Sequence, residues 1–404
     1  MARLQSERAV VWLMTAVQFV NILDFMMVMP LGPDFAVSLG IPPSQLGLVG
    51  GSYTGAAAVS GLLAASFLDR LDRRSALLGA LSGLGLTTLA GGLATDLPTL
   101  VAARIGAGAF GGPATALSLS IVADIVPVER RGRAMGVVMG AFAIASVLGV
   151  PLGLELARLW DWRLPFWAVG TATLVMMGIA ARLLPPMRAH LVRGPDAARA
   201  GYGFLRRPTV WMMLLVVSTA YGANFALIPN LATFLQFNLG FPREQLGMLY
   251  MVGGVLSFFG MRLAGRWVDR WGAPQVGLLG TTALGMVIAI AFLPHGGPVP
   301  VVPVFAAFMV TSTFRSVAMN TLASRVPAAS ERARYMSVQS ALGHAASATG
   351  AMVSARVLTE DADLALVGMD RLAMGSLVAM SAMGLMFWIE ARLGRESGSQ
   401  TTAL

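Results

Sequence analysis

The stretch IPPSQLGLVGGSYTGAAAVSGLLAASFLDR, residues 41–70, decides how this chain folds. It carries no charge between Pro42 and Asp69, and it is long enough to cross a bilayer, for which about 20 apolar residues suffice. The same punctuation returns at an offset of 200: Pro42-x-x-Gln45-Leu46-Gly47 recurs as Pro242-x-x-Gln245-Leu246-Gly247, and Asp69-Arg70 as Asp269-Arg270. Val126-Pro127 recurs as Val326-Pro327. With one inserted residue, Arg131-x-Arg133-x-Met135 recurs as Arg332-x-Arg334-x-Met336. Single matches of this kind are cheap. Four in order at one offset mark an internal duplication.

Outward from that stretch, twelve apolar runs are each long enough to span: 9–31, 44–68, 75–95, 97–123, 133–157, 163–184, 209–237, 243–264, 274–293, 299–324, 335–357 and 369–390. Each copy of the repeat holds six, so both copies enter and leave on one side. The repeats are then parallel, related by an axis along the membrane normal, with a substrate cavity between them near the midplane. The expected fold is all-α and integral to the membrane: twelve transmembrane helices in two pseudo-symmetric six-helix bundles. The bundles cover 1–184 and 209–404. Segment 185–208, with Pro185, Pro186, Gly194, Pro195 and five arginines, reads as a cytoplasmic linker.

Composition agrees. The chain has 404 residues, 56% hydrophobic and 12% charged. A soluble domain carries about 25% charged residues, so this chain has too little charge to cover a water-facing surface. It has no cysteine, which excludes disulfides and thiolate metal sites. Its three histidines, His190, His295 and His344, lie too far apart in sequence to suggest a metal site. The net charge is +9 and all 29 basic residues are arginine. They sit in short clusters between apolar runs, which suits anionic lipid head groups and not nucleic acid. Of the 29, 22 fall on one set of loops and ends and 5 on the other, with Arg104 and Arg315 inside spans. The excess marks the cytoplasmic side, so both termini are expected there. The first apolar run is too long for a signal h-region and reads as a retained helix.

Several motifs carry a family resemblance. Gly265-Arg266-Trp267-Val268-Asp269-Arg270-Trp271-Gly272 resembles the G-x-x-x-D-R-x-G signature of the major facilitator superfamily. The first-half copy keeps Asp69-Arg70 and the trailing Arg73-Arg74, with Ala65 and Asp72 in place of the two glycines. Arg104-x-x-x-Gly108 resembles the family's intramembrane arginine motif. Gly140-x8-Gly149-Val150-Pro151-Leu152-Gly153 is similar to the Gly-Pro signature of its antiporter branch. The first span, from Asn21 to Asp34, resembles that of proton-coupled drug and arabinose-type efflux permeases. The resemblance implies the major facilitator fold in a bacterial inner membrane, a small-molecule substrate, a proton as coupling ion with no other cofactor, and a monomer. It also implies a gate in which Asp69, beside Arg70, pairs with Arg133 or a neighbouring helix N-terminus when the cytoplasmic side is shut, with Asp269 and Arg270 as the second-half counterparts. Gly149, Pro151 and Gly153 would weaken the fifth span and seal the cavity against proton leak.

A charge in the bilayer core costs at least a few kcal/mol, so titratable residues there are functional candidates. Asp24 lies 16 residues past Arg8, roughly 24 Å up a helix. Gln18, Asn21 and Asp24 share one helical face, and Gln18 and Asn21 are expected to contact substrate. Asp24 reads either as the proton-carrying carboxylate or as a hydrated cap. Arg104, roughly 9 Å into the fourth span, pairs with Asp24 or an anionic substrate group, or else satisfies carbonyls beside Gly106 and Gly108. Arg315 and His344 lie roughly 15 Å deep with no carboxylate of the second half at their depth. That invites an anionic group, unless Ser312, Ser316 and Asn320 hold the arginine. Tyr221, Asn224, Gln236 and Gln339 are expected to line the cavity. Glu155 reads as a solvated cap. The leading expectation is proton-coupled export by alternating access. Organic-anion transport or uncoupled diffusion stands second. A membrane-embedded enzyme is remote, because no catalytic set, metal motif or P-loop is present.

Overall fold

The computed structural model describes residues 7–67, 71–188, 203–293, 299–327 and 331–401. The first half comprises α1 (Glu7–Met27), α2 (Gly32–Leu39), α3 (Leu46–Phe67), α4 (Arg73–Gly91), α5 (Leu97–Ile125), α6 (Val128–Met139), α7 (Ala141–Ile144), α8 (Val150–Leu159) and α9 (Arg163–Leu183). The second comprises α10 (Pro208–Thr233), α11 (Arg243–Trp271), α12 (Ala273–Phe292), α13 (Val301–Arg325), α14 (Arg332–Val357) and α15 (Met369–Thr401). A short hairpin, β1 (Thr359–Glu360) with β2 (Leu366–Val367), joins the last two helices. Among the described residues, ten helical stretches are long and apolar enough to cross a membrane. Helices α4 and α14 make up the other two of the twelve expected spans and fall short of that measure. Polar side chains such as Gln339, Ser347 and Ser354 explain this for α14, since all three are buried against protein.

Local chemistry sets the boundaries. The first span was expected to run to residue 31, but α1 ends at Met27 and a separate helix, α2, begins at Gly32. Pro30 and Pro33 lack the N–H groups that a continuous helix requires. The fifth span is interrupted as its glycines and proline suggest: α6 stops at Met139 before Gly140, and Ala145–Gly149 widens into a π-helical turn ahead of Pro151. Asp96 starts α5 with a capping box, accepting from the Thr99 amide at 2.9 Å. Asp72 caps α4 and also accepts from the Met187 amide at 3.1 Å, tying the end of the first half to its third span.

The duplication is visible in space. In the first half α3 packs on α5, α5 on α4, and α4 on α9; in the second α11 packs on α13, α13 on α12, and α12 on α15. Gly40 and Gly240, 200 positions apart, both take left-handed backbone at φ 61° and 64°. The halves meet along α3 with α14, and along α8 and its π-turn with α11. Both seams use small residues, which let helix backbones approach closely in a membrane. A Cβ on Gly47 would stand 2.6 Å from the Ala351 carbonyl oxygen, and one on Gly254 would stand 2.9 Å from that of Ser146.

The two ends of the molecule differ. On the arginine-rich face the ion pairs Glu7–Arg130, Asp72–Arg188, Asp124–Arg73 and Glu331–Arg207 each stay within one half. On the opposite face contacts cross between halves, among them one from Arg243 Nη2 to the Leu154 carbonyl at 3.4 Å. Asp34 accepts from Arg243 Nε at 3.0 Å and Nη2 at 2.8 Å, and Glu360 accepts from the Ser44 amide at 3.2 Å. Leu62 and Leu63 of α3 and Met336 of α14, near the arginine-rich end of the seam, are exposed. This conformer is therefore latched between the halves at the opposite face.

Burial raises the Asp34 carboxyl above its ordinary 3.8 and outweighs the lowering by Arg243. A group with a raised pKa in one state binds protons more tightly there, so lowering the pH toward 3.8 favours that state. The latched population is therefore expected to grow as the solution is acidified from neutrality. Spin labels on Ser38→Cys and Thr359→Cys would read it as a distance distribution. The cysteine-free sequence makes such labelling specific. Asp34→Asn should flatten that pH response.

Candidate functional site: a sealed ion pair and an unsatisfied polar set

Two polar constellations lie within the spans, one in each half. The first is built on α1. Asp24 is 0% exposed and Arg104 of α5 is 1% exposed. Arg104 Nη1 donates to both Asp24 carboxylate oxygens at 3.0 and 3.1 Å, and Nη2 donates to the Asp24 carbonyl at 3.3 Å. The Thr88 hydroxyl of α4 adds a hydrogen bond to Asp24 at 2.8 Å. The guanidinium lies 4.7 Å over the ring of Tyr53 from α3. Four helices of one half thus converge on a single charge pair.

Glycines of α5 make the approach possible. A Cβ on Gly108 would stand 2.2 Å from the Tyr53 carbonyl oxygen, and one on Gly111 would stand 2.3 Å from the Tyr53 hydroxyl. The spacing Arg104-x-x-x-Gly108 therefore places a long cation one turn before a gap that α3 fills. Tyr53→Leu removes the ring under the cation and the hydrogen bond to Asn21, and is expected to cost about 1–2 kcal/mol. Tyr53→Phe keeps the ring and should cost less. Thermal unfolding of the purified variants compares them.

The shared face of Gln18, Asn21 and Asp24 exists, but it turns into the first half and not into a cavity between halves. Asn21 donates to the Gly111 carbonyl at 3.0 Å and to Thr115 at 2.7 Å, and accepts from Tyr53 at 3.2 Å. With both ends of its amide engaged, Asn21 leaves the substrate set and joins the scaffold of the ion pair. Gln18 is buried on the same face, and its Oε1 has no partner. The alternative in which Asp24 is a hydrated surface cap is overturned by its complete burial.

The second constellation is unsatisfied. Arg315 of α13 is 1% exposed, yet its Nε and Nη1 find no acceptor. The Ser316 hydroxyl donates to the Ser312 carbonyl at 2.8 Å, and none of Ser312, Ser316 and Asn320 accepts from Arg315 Nε or Nη1. Asn224 Oδ1 and Gln236 Oε1 of the seventh span, and Gln339 Oε1 of α14, are also buried without partners. Tyr221, 37% exposed, lies within electrostatic reach of Arg315. His344 is half-buried on α14, and no carboxylate pairs with Arg315 or His344 among the described residues. Buried polar atoms are rarely left unpaired, so these side chains are candidates for contact with a bound molecule.

The gate candidates divide. Asp69 and Arg70 lie outside the described residues. Arg133, Asp269 and Arg270 are exposed at the arginine-rich end. A Cβ on Gly149 would stand 2.7 Å from Leu23 of α1, and one on Gly153 3.7 Å from Met27, so the interrupted fifth span packs directly on the helix bearing Asp24. The Pro151 carbonyl oxygen would lie 3.6 Å from a Cβ on Gly247 of α11, across the seam between halves. Glu155 pairs with Arg158 of its own helix, in keeping with a solvated cap. The sequence reading missed Thr88, Tyr53, Asp34 and Arg243. A lone threonine, a tyrosine in an apolar run and charges at loop ends carry no local signal of what they meet.

Known proteins now bear on this architecture. A family model described as Major Facilitator Superfamily matches residues 14–351. The chain belongs to the Major Facilitator Superfamily. It is 29% identical over 262 residues to a chloramphenicol resistance protein of Streptomyces lividans, covering 65% of this chain and 67% of that one. It is 24% identical over 287 residues to an uncharacterized MFS-type transporter, YceJ, of Bacillus subtilis strain 168, covering 70% and 73%. Among solved structures it is similar to a bacterial homologue of the human lysosomal transporter Spinster in an inward-facing, unoccupied conformation, with TM-score 0.72 and 18% identity over 97% of this chain and 98% of that one. It is similar as well to a D-xylose-proton symporter, with TM-score 0.73 and 16% identity over 95% and 97%. At those identities the structural likeness shows the major facilitator fold. The chain is thus a multi-pass membrane transporter of this superfamily, not an enzyme.

Proposed function

We propose that this protein exports a small amphipathic organic compound in exchange for protons, by alternating access between bundles 1–184 and 209–404. The observation that carries the reading is the sealed Asp24–Arg104 pair. A carboxylate and a guanidinium removed from water are costly unless paired, and a proton on Asp24 undoes the pairing. Proton occupancy therefore changes the internal energy of the first half, which is what coupling to a conformational change requires. Gly149 and Gly153 pack on α1 beside that pair, and the adjoining turn meets α11, so the seam between halves runs past the ion pair. Similarity to a chloramphenicol resistance protein supports outward transport of an organic compound.

In this reading the arginine-rich face is cytoplasmic, with both termini there, in a bacterial inner membrane. The latched conformer is the inward-facing state of a monomer, and the proton is the coupling ion. The gate roles of Asp69, Arg70, Arg133, Asp269 and Arg270 belong to the inward-closed state. A second reading, transport of an organic anion, draws on the unpartnered donors of Arg315. The two differ in the sign of coupling. A proton on Asp24 adds positive charge and draws an anion in, whereas exchange needs proton and substrate to disfavour each other. Exchange therefore suits an uncharged or cationic compound whose acceptor atoms hydrogen-bond Arg315. The test is reconstitution in liposomes with an internal pH dye and chloramphenicol as probe. An imposed proton gradient should drive its counterflow, and Asp24→Asn should abolish that. Counterflow without proton movement would end the exchange reading.

A further inference from the structure

Phe25 follows Asp24 on α1, and its ring stands between the two constellations. Its centroid is 5.0 Å from that of Tyr53, the ring under the Arg104 guanidinium. On its other side it lies 5.9 Å from Phe225 of α10, in the second half, with the planes only 22° apart. A file of rings therefore runs from the ion pair across the seam between halves. Both phenylalanines are half-buried. Phe225 adjoins Asn224, whose Oδ1 has no partner, and lies four positions after Tyr221, on the same helical face. Tyr221 in turn is within electrostatic reach of Arg315 and its two unmet donors.

Near-parallel, partly accessible rings from two bodies that rock against each other make a slot that widens with the motion. A flat ring needs roughly 7 Å between the faces that hold it, more than the present 5.9 Å centroid separation, so the slot admits one only after the halves have moved. We propose that Phe25 and Phe225 form a ring site. A planar aromatic group of the substrate stacks between them, its hydrogen-bonding arm reaches Asn224, and an acceptor group on the ring reaches Arg315. The substrate class is an aromatic amphipathic compound. This deepens the exchange reading and rests on it only for the direction of transport. The arrangement also supplies a mechanical path, because a ring wedged against Phe25 presses on Tyr53 and so on the guanidinium that holds Asp24.

The test uses the purified full-length chain and three matched probes: 4-cyclohexylbutanamide, 4-phenylbutanamide and 4-(4-nitrophenyl)butanamide. Binding is measured by titration calorimetry, with thermal unfolding of each variant as the check on folding. The phenyl probe should bind about tenfold more tightly than the cyclohexyl one, and the nitro group should add a further increment. Phe225→Leu and Phe25→Leu should each remove the ring preference, while Phe225→Tyr keeps it. Arg315→Gln should remove the nitro increment alone. Equal binding of phenyl and cyclohexyl probes by the wild type, or no binding of either, overturns the ring site. So does a ring preference that survives in both leucine variants. A ring preference without proton exchange in liposomes defeats the exchange reading and leaves the ring site standing. Proton exchange without any ring preference does the reverse.

Discussion

Asp24→Asn is expected to abolish proton-driven transport, a loss of about 100-fold or more if the carboxyl is the proton carrier. It should also destabilise the protein, since Arg104 then stays charged and enclosed at 1% exposure with no counter-charge. Removing one partner of a buried ion pair typically costs about 3–5 kcal/mol. Asparagine still accepts from Thr88 and from the guanidinium, which places this variant toward the lower end. The pair is asymmetric. A guanidinium cannot shed its proton, whereas an orphaned carboxylate can take one up. Arg104→Gln should therefore cost less stability than Asp24→Asn at mildly acidic pH. The double variant should recover part of the stability and none of the coupling. Thermal unfolding in detergent gives the first quantity and gradient-driven uptake in liposomes the second. Wild-type coupling in Asp24→Asn would remove this residue from the mechanism.

Gly47→Val is expected to shift the conformational balance without unfolding the protein. Gly47 lies on the seam between α3 and α14, where an added Cβ would stand 2.4 Å from the Ser354 hydroxyl and 2.6 Å from the Ala351 carbonyl oxygen. The hydroxyl can turn away, but the carbonyl belongs to the helix backbone and cannot. Overpacking of this kind costs about 1–3 kcal/mol when no relief exists. Here relief exists, because the two helices belong to different halves and separate when the opposite face opens. A penalty of that size, confined to one state, changes the population ratio by roughly 5- to 150-fold. The distance between labels at Ser38→Cys and Thr359→Cys should lengthen in the variant, and binding from the arginine-rich side should weaken. An unchanged distance distribution with a lowered unfolding temperature would show that the seam does not open. Gly108→Val makes the contrast. Its clash is with the Tyr53 carbonyl inside the first half, so it should lower stability and leave the balance alone.

Much of this was legible in the sequence because the bilayer simplifies the problem. Run length, arginine asymmetry and an offset repeat gave twelve spans in two halves, and each signal is local or periodic. Asp24 and Arg104 were also legible, because a charge within an apolar run is costly enough to demand a reason. The fate of Asn21 was not. Helical periodicity put it on a face with Asp24, and only the position of α5 showed that face turned inward. Thr88 and Tyr53 were invisible for the same reason, since their roles exist only where four helices converge. The break after Met27 was signalled by Pro30 and Pro33, yet the apolar run through them concealed it.

What the sequence alone determined is therefore everything that solvation dictates one segment at a time: which stretches are apolar enough to enter lipid, at which ends the arginines gather, and which charges are out of place there. What only the tertiary structure decided is which polar atoms are paired. It paired Asp24 with Arg104 within one half, left the donors of Arg315 unmet in the other, and set Phe25 against Phe225 between them. Hydropathy is a property of each residue and is additive along the chain. Hydrogen bonds and ring contacts are properties of pairs, here up to 316 residues apart, and exist only once the helices have packed.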